Sequence, residues 1–235
     1  MSMLKKTSVK NKVSKQRFYD NINLRSKLYK MFVDYIDSIF LINKFYSGNT
    51  NLPQGDLVEE ILFFEINLKS DVYIHNIEDL LVIIDRNVPY HTLFKIKYDN
   101  KIVCKMGYKV QNKADVSKFV VNDYYTRIFD DEKEFEDNIN SCFKVINIDL
   151  LYENFLYLFL FFEEEDLIFS IEKQNEYVIL SKELRELEIA VLKEKQVNRQ
   201  YDLHNQFCDK LNRFNLLKKD IKKTFKHEIE KEGYI

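Results

Sequence analysis

Residues 51–70, NLPQGDLVEEILFFEINLKS, and residues 77–110, IEDLLVIIDRNVPYHTLFKIKYDNKIVCKMGYKV, decide the fold. Within residues 57–69, Leu62, Phe64, Ile66 and Leu68 alternate with Glu65, Asn67 and Lys69. Successive side chains of a strand point to opposite faces, so this alternation predicts a strand with one buried side and a polar back. Asn76 followed by Asp79 has the spacing of a helix-capping box, and Ile77, Leu80, Leu81 and Ile84 form an apolar helical stripe that Pro89 ends. Residues 92–98 and 101–110 flank Asp99-Asn100, a pair that tolerates positive φ, which predicts a β-hairpin with a two-residue turn.

Working outward, residues 23–46 carry Leu24, Leu28, Met31, Phe32, Tyr35, Ile36, Ile39 and Ile42 at spacings of three and four, the pattern of an amphipathic helix. Residues 119–128 suggest a further strand. From Glu132 the pattern turns helical through Phe135, Ile139 and Phe143, then over residues 150–162, and no Gly or Pro falls between Gly107 and Gly233. In residues 181–232, Leu184, Leu187 and Val191 open a heptad-like seam. It continues through Glu194, Asn198, Tyr201, Asn205 and Cys208 to Leu211, Leu217, Ile221 and Phe225. That spacing fits a hairpin of two helices or one long coiled-coil-like helix. The expected organisation is a basic N-terminal arm (residues 1–19), an α+β domain with a small, mainly antiparallel sheet and flanking helices (20–164), and a helical C-terminal extension (165–235).

A chain of 235 residues can bury most of its apolar surface without covalent staples. Cys104, Cys142 and Cys208 are odd in number and form no CxxC pair, which points to a reducing, cytoplasmic setting rather than a disulfide framework or zinc knuckle. The basic N-terminus has no apolar run behind it, so no secretory signal is expected. The longest apolar run, FLYLFLFF at residues 155–162, falls well short of the ~20 residues a membrane span needs, and four acidic residues close it. A soluble protein is expected. The lack of Trp, with many Lys, Asn, Ile, Phe and Tyr, matches the codon bias of an AT-rich genome. The 15 Tyr and 19 Phe are therefore not in themselves base-stacking platforms.

The net charge of −2 conceals segregation. Lys5, Lys6, Lys10, Lys12, Lys15 and Arg17 precede the first acid, Asp20, and the last helical segment is basic at Lys210, Arg213, Lys218, Lys219, Lys222, Lys223 and Lys226. A charged tail is ordinarily a solvated surface. Its alternative role is phosphate contact, for which Lys218, Lys219, Lys222 and Lys223 are the nucleic-acid-binding candidates.

Glu65-x-Asn67-x-Lys69 is the first place to look for catalysis, because metal-dependent nucleases set a carboxylate two positions before a lysine so that both reach one metal-bound water. Here that position is Asn67, a poor partner for a hard cation. A nuclease would have to use Glu65 and Lys69 with another carboxylate such as Asp85, and Mg²⁺ as its cofactor. Otherwise no cofactor and no metal site is expected. His75, His91, His204 and His227 are scattered, and His91 near Cys104 is the one sequence-local partner for a nucleophilic thiol. Neither a GxGxxG nor a GxxxxGK[ST] loop exists among four glycines, and GxSxG and HExxH are missing, which argues against autonomous nucleotide hydrolysis and those hydrolase classes.

Asn51-Leu52-Pro53, the strand end Phe64-Glu65-Ile66-Asn67-Leu68-Lys69, Ile84-Asp85-(x)3-Pro89, Leu93-Phe94 and Tyr108-Lys109 resemble the bacterial domain-of-unknown-function family numbered 4391. The polar stretch of residues 193–205 also resembles that family. The resemblance brings no activity with it. It implies a product of a bacterial defence locus that sits beside a helicase and a DNA methyltransferase, hence an accessory, adaptor-like subunit of a restriction or anti-phage system. Under that reading Glu194, Asn198 and Asn205 would bind the partner. The alternative is the divergent nuclease.

Overall fold

The computed structural model describes residues 2–16, 18, 26–70, 72–115 and 118–225. They fall into two compact units, Met1–Phe159 and Leu160–Ile235. The first is built on a six-stranded sheet whose spatial order is the chain order: β1 (Ser8–Val13), β2 (Ile36–Phe45), β3 (Ile61–Leu68), β4 (His91–Tyr98), β5 (Lys101–Gln111) and β6 (Phe119–Phe129). All neighbours are antiparallel except β3 and β4. A parallel pair cannot be closed by a tight turn, so a helix joins these two. Helix α1 (Ser26–Tyr35) leads into β2. Helix α2 (Glu78–Asn87) is the crossover, and α3 (Glu132–Ser141) and α4 (Ile148–Tyr157) follow the sheet.

Both sheet faces are covered. On one, Leu62, Phe64, Ile66, Phe94 and Ile96 pack with Phe32, Ile77, Leu80, Leu81 and Ile84. On the other, the Phe63 and Phe155 rings meet at 5.2 Å, and Phe129 meets Phe135 at 5.6 Å. The strand that decided the reading is therefore polar only at its far end. Phe63 is fully buried on the face expected to be the polar back, because α4 lies against it. The sheet is also larger than the small one expected.

Residues 26–45 divide into helix and strand where the sequence suggested one long helix. Ser26–Tyr35 has the helical stripe, whereas Ile36–Phe45, with Ile36, Ile39, Phe40, Ile42 and Phe45 as strand formers, pairs with both β1 and β3. The beginning of the expected helix, residues 23–25, lies outside the described residues. The segment read as a basic arm contributes β1, an edge strand with Lys10 at φ 47°, and Leu4 and Thr7 are buried beside it. Asn76 falls in the 3-10 turn Ile74–Ile77, and α2 begins at Glu78 without the predicted side-chain cap. The Asp99-Asn100 turn does form, with φ of 49° and 61°, joining Tyr98 to Lys101 in register.

The second unit is an αα-hairpin of α5 (Leu167–Lys193) and α6 (Val197–Lys219), with residues 194–196 as its turn. Tyr177 stacks on Phe214 at 4.8 Å within a core of Phe162, Leu180, Leu184, Ile221 and Phe225. Lys210 pairs with Glu183 and Arg213 with Glu176, which sets the antiparallel register. The continuous heptad seam is interrupted by the turn. On α6 the packed positions are Phe207, Leu211, Phe214 and Leu217, while Asn198, Tyr201 and Asn205 face solvent. Residues 226–232 of the closing region lie outside the described residues. Among the described residues no helix is long and apolar enough to cross a membrane.

Candidate functional site

Glu65 sits in β3 opposite Phe40 of β2 and Lys95 of β4. The Lys95 ammonium lies 3.5 Å from Glu65 Oε2, is held closely by Glu132 at the start of α3, and sits 4.8 Å from the Phe135 ring centre. Its side chain is 4% exposed. Lys97, two residues on and so on the same face, is 3.6 Å from Glu65 and 4.0 Å from Glu132. Two carboxylates and two ammoniums thus alternate at one spot, the arrangement that makes a buried lysine tolerable. They floor a cleft of about 700 Å³ that Lys5, Lys10 and Glu136 also line.

Lys69, by contrast, follows the end of β3, is exposed, and donates its backbone N–H to Tyr35. Asp85 lies elsewhere. It is fully buried on α2 and accepts from the hydroxyl of Thr92, three residues before Lys95 in β4, so it lies against the face opposite Glu65. Glu65, Lys69 and Asp85 are therefore not gathered into one site. The lysines that meet Glu65 are Lys95, its partner in register, and Lys97. No local motif could have shown this, because the pair exists only through the β3 to β4 register.

Asp85 instead centres a closed polar network. Lys109 Nζ lies 2.8 Å from Asp85 Oδ1 and donates to the carbonyls of Asp85, Val88 and Tyr90, which lie at and beyond the carboxyl end of α2. Tyr124 Oη donates to Asp85 Oδ2 at 2.9 Å. Burial pushes the Lys109 ammonium down and the Tyr124 hydroxyl up from their ordinary pKa values. A Cβ on Gly107 would fall 2.8 Å from Asp85 Oδ2, so glycine is what leaves room for the carboxylate. A second pin lies in the loop before β3. The Asp149 carboxylate, on α4, accepts backbone N–H bonds from Asp56, Leu57 and Val58. Three of the motif segments, Asn51-Leu52-Pro53, Ile84-Asp85-(x)3-Pro89 and Tyr108-Lys109, thus lie in or beside these two pins, at the amino ends of β3 and β4.

In the hairpin, Glu194 caps the turn by accepting from the N–H groups of Lys195 and Gln196, which holds its carboxyl below the usual range. Asn198 and Asn205 are exposed on α6. Of the four basic tail candidates, Lys222 is 3.6 Å from Glu163 and lies over the Phe225 ring, Lys218 is half-buried, and Lys219 and Lys223 are exposed. They do not make one open patch. His91 is buried against the Phe119 and Tyr152 rings, while Cys104 lies opposite Lys95 with its thiol pushed up by burial, so the two do not form a nucleophile and base. Sequence reasoning missed the pair His204 and Cys208, whose four-residue spacing on α6 brings Cys208 Sγ to 3.5 Å from His204 Nε2. Among the described residues no three His, Cys, Asp or Glu side chains are gathered to hold a metal ion.

These features define a mixed α/β sheet domain with a C-terminal helical hairpin, the sheet carrying a paired lysine and carboxylate cluster. The family described as a domain of unknown function, DUF4391, matches residues 5–214, and the chain belongs to it. No curated protein and no solved structure matches the chain.

Proposed function

We propose that the chain is a cytoplasmic accessory subunit of a bacterial DNA restriction or anti-phage system, and that it docks a helicase or DNA methyltransferase through the turn of its helical hairpin. The observation that supports this reading is the apolar surface around that turn. Ile189 is 50% exposed, Leu192 79%, Val197 77% and Tyr201 65%, all within two helical turns of residues 194–196. Large apolar side chains exposed together mark contact surfaces, and aromatic anchors dominate such contacts. Glu194, Asn198 and Asn205 border them and supply the polar rim.

The nuclease alternative has less behind it, since Glu65 is already occupied by Lys95 and Lys97. The test is co-purification of the chain with the helicase and methyltransferase encoded beside it. Leu192→Glu combined with Tyr201→Glu should lower the affinity at least tenfold while leaving far-UV circular dichroism unchanged. Undiminished binding by that variant refutes the docking reading. A Mg²⁺- or Mn²⁺-dependent cleavage activity that Glu65→Gln removes would establish the nuclease instead.

A further inference from the structure

We infer that the end of the sheet where β1, β3 and β4 finish binds the phosphodiester backbone of a nucleic acid. Because β1 and β3 both run antiparallel to β2, and β4 runs parallel to β3, the carboxyl ends of these three strands share one edge. Each brings lysine there. Lys12 and Lys15 lie in and just after β1, Lys69 just after β3, and Lys97 near the end of β4. The opposite end, in contrast, is closed by the pins of Asp85 with Lys109 and of Asp149.

Lys12, Lys15 and Lys69 crowd one another there, while Lys97 is paired with Glu65 and Glu132. Lys15 is pinned by donating to the Ile36 carbonyl at 2.6 Å, and Lys12 and Lys69 both act on it as like charges, against Asp37 as the opposing one. Burial and then this repulsion push its pKa down. Like charges held together cost stability that a bound polyanion restores. From there Lys10 and Lys5 continue the basic line along the wall of the cleft.

Geometry also selects the kind of anion. From the β1 lysines to Lys69 after β3 is two strand spacings, about 10 Å at ~4.8 Å each. One phosphate cannot reach across that, whereas successive phosphates of a polymer can. Glu65, Glu132 and Glu136 occupy the cleft floor and disfavour a compact multivalent anion deep inside it. The edge strand β1 keeps Lys10 and Lys12 exposed along the rim.

The experiment is a fluorescence-anisotropy titration of the full chain with labelled 20-mer single-stranded DNA, duplex DNA and single-stranded RNA, between 50 and 300 mM NaCl. Lys10→Gln, Lys12→Gln and Lys69→Gln together should weaken binding at least tenfold at 100 mM. They should also reduce the log–log salt slope by about 2 to 3, at ~0.7–0.9 per phosphate contact. Lys218→Gln with Lys219→Gln should leave the slope unchanged. No binding of any probe, or an unchanged slope in the triple variant with its circular dichroism intact, overturns the inference. So does displacement of the probes by polyglutamate at equal charge concentration, which would reveal indifference to phosphate. The hairpin variant Leu192→Glu with Tyr201→Glu belongs in the same titration and should bind normally, so loss of docking and loss of nucleic-acid binding are read separately.

Discussion

Replacing His91 with Leu should make the sheet unit markedly less sensitive to acid. His91 opens β4, is 2% exposed and packs edge-on against Phe119 and Tyr152, 4.8 and 4.2 Å away. Burial, and then the nearby Lys109 ammonium, hold its pKa at about 3 against an ordinary value of 6.5. In the folded chain the ring stays neutral, while the unfolded chain takes up a proton as pH falls below 6.5. The stability linked to His91 is thus fully present above that pH and is lost on acidification, until the folded form also titrates near 3. At pH 5 the gap from 6.5 is 1.5 units, worth about 2 kcal/mol at ~1.36 kcal/mol per unit. That figure is insensitive to the folded pKa provided it lies well below 5. Hydrogen exchange of β4 and β5 amides, corrected for intrinsic rates, reads the opening free energy of this unit alone at pH 7.5 and pH 5.0. His91→Leu carries a pH-independent packing cost that cancels in the comparison between the two pH values. The wild type should lose about 2 kcal/mol more than the variant over that interval. Parallel losses would refute the reasoning, and so would an imidazole resonance of His91 that titrates near 6.5.

Two further outcomes follow from the pins. Lys109→Met should destabilise the sheet unit by about 3 to 5 kcal/mol, because it leaves the fully buried Asp85 carboxylate unpaired, and Asp85→Asn in the same chain should recover part of the loss; both are read by the same exchange measurement. Gly55→Ala should cost about 1 to 3 kcal/mol, since the added Cβ would fall 2.0 Å from Asp149 Oδ1 and expel the carboxylate from the N–H groups of Asp56, Leu57 and Val58; an unchanged denaturant midpoint would show that the loop relocates freely.

The parts of this fold legible in the sequence are those set by neighbours along the chain. The alternation through Phe64, the Asp99-Asn100 turn, the helix ended ahead of Pro89 and the stripe of Phe135 and Ile139 all appear where their spacing placed them. Ile36–Phe45 was misread because its apolar residues, Ile36, Ile39, Phe40, Leu41, Ile42 and Phe45, show no clean period of two and also satisfy helical spacing. The polar back of β3 was overextended for a related reason. Alternation says which residues share a face, but not that α4 covers that face at Phe63. The pairing of Glu65 with Lys95 depends on strand register across an intervening helix, and that of Asp85 with Lys109 on a crossover and a hairpin together. Nothing local encodes either. Of the two arrangements the seam left open, a hairpin or one long helix, the hairpin is the one that forms, and the polar middle at Glu194 falls at its exposed turn.

That the strands stand in space in the order in which they occur in the chain has a consequence for how the molecule is made. Each strand needs only the one before it as a template, so the sheet can be extended a strand at a time while the ribosome is still at work. The longest closure between neighbouring strands in β2 through β6 is the β3 to β4 crossover, and lengthening a loop adds only slowly to its entropic cost. The αα-hairpin repeats the same economy of short-range contacts. Such a chain buries its strand edges early during synthesis, which limits the time for which they can recruit a neighbouring nascent chain. A circular permutation that opens the chain between β3 and β4 would make β4 before β3, and should preserve the final contacts yet slow their acquisition.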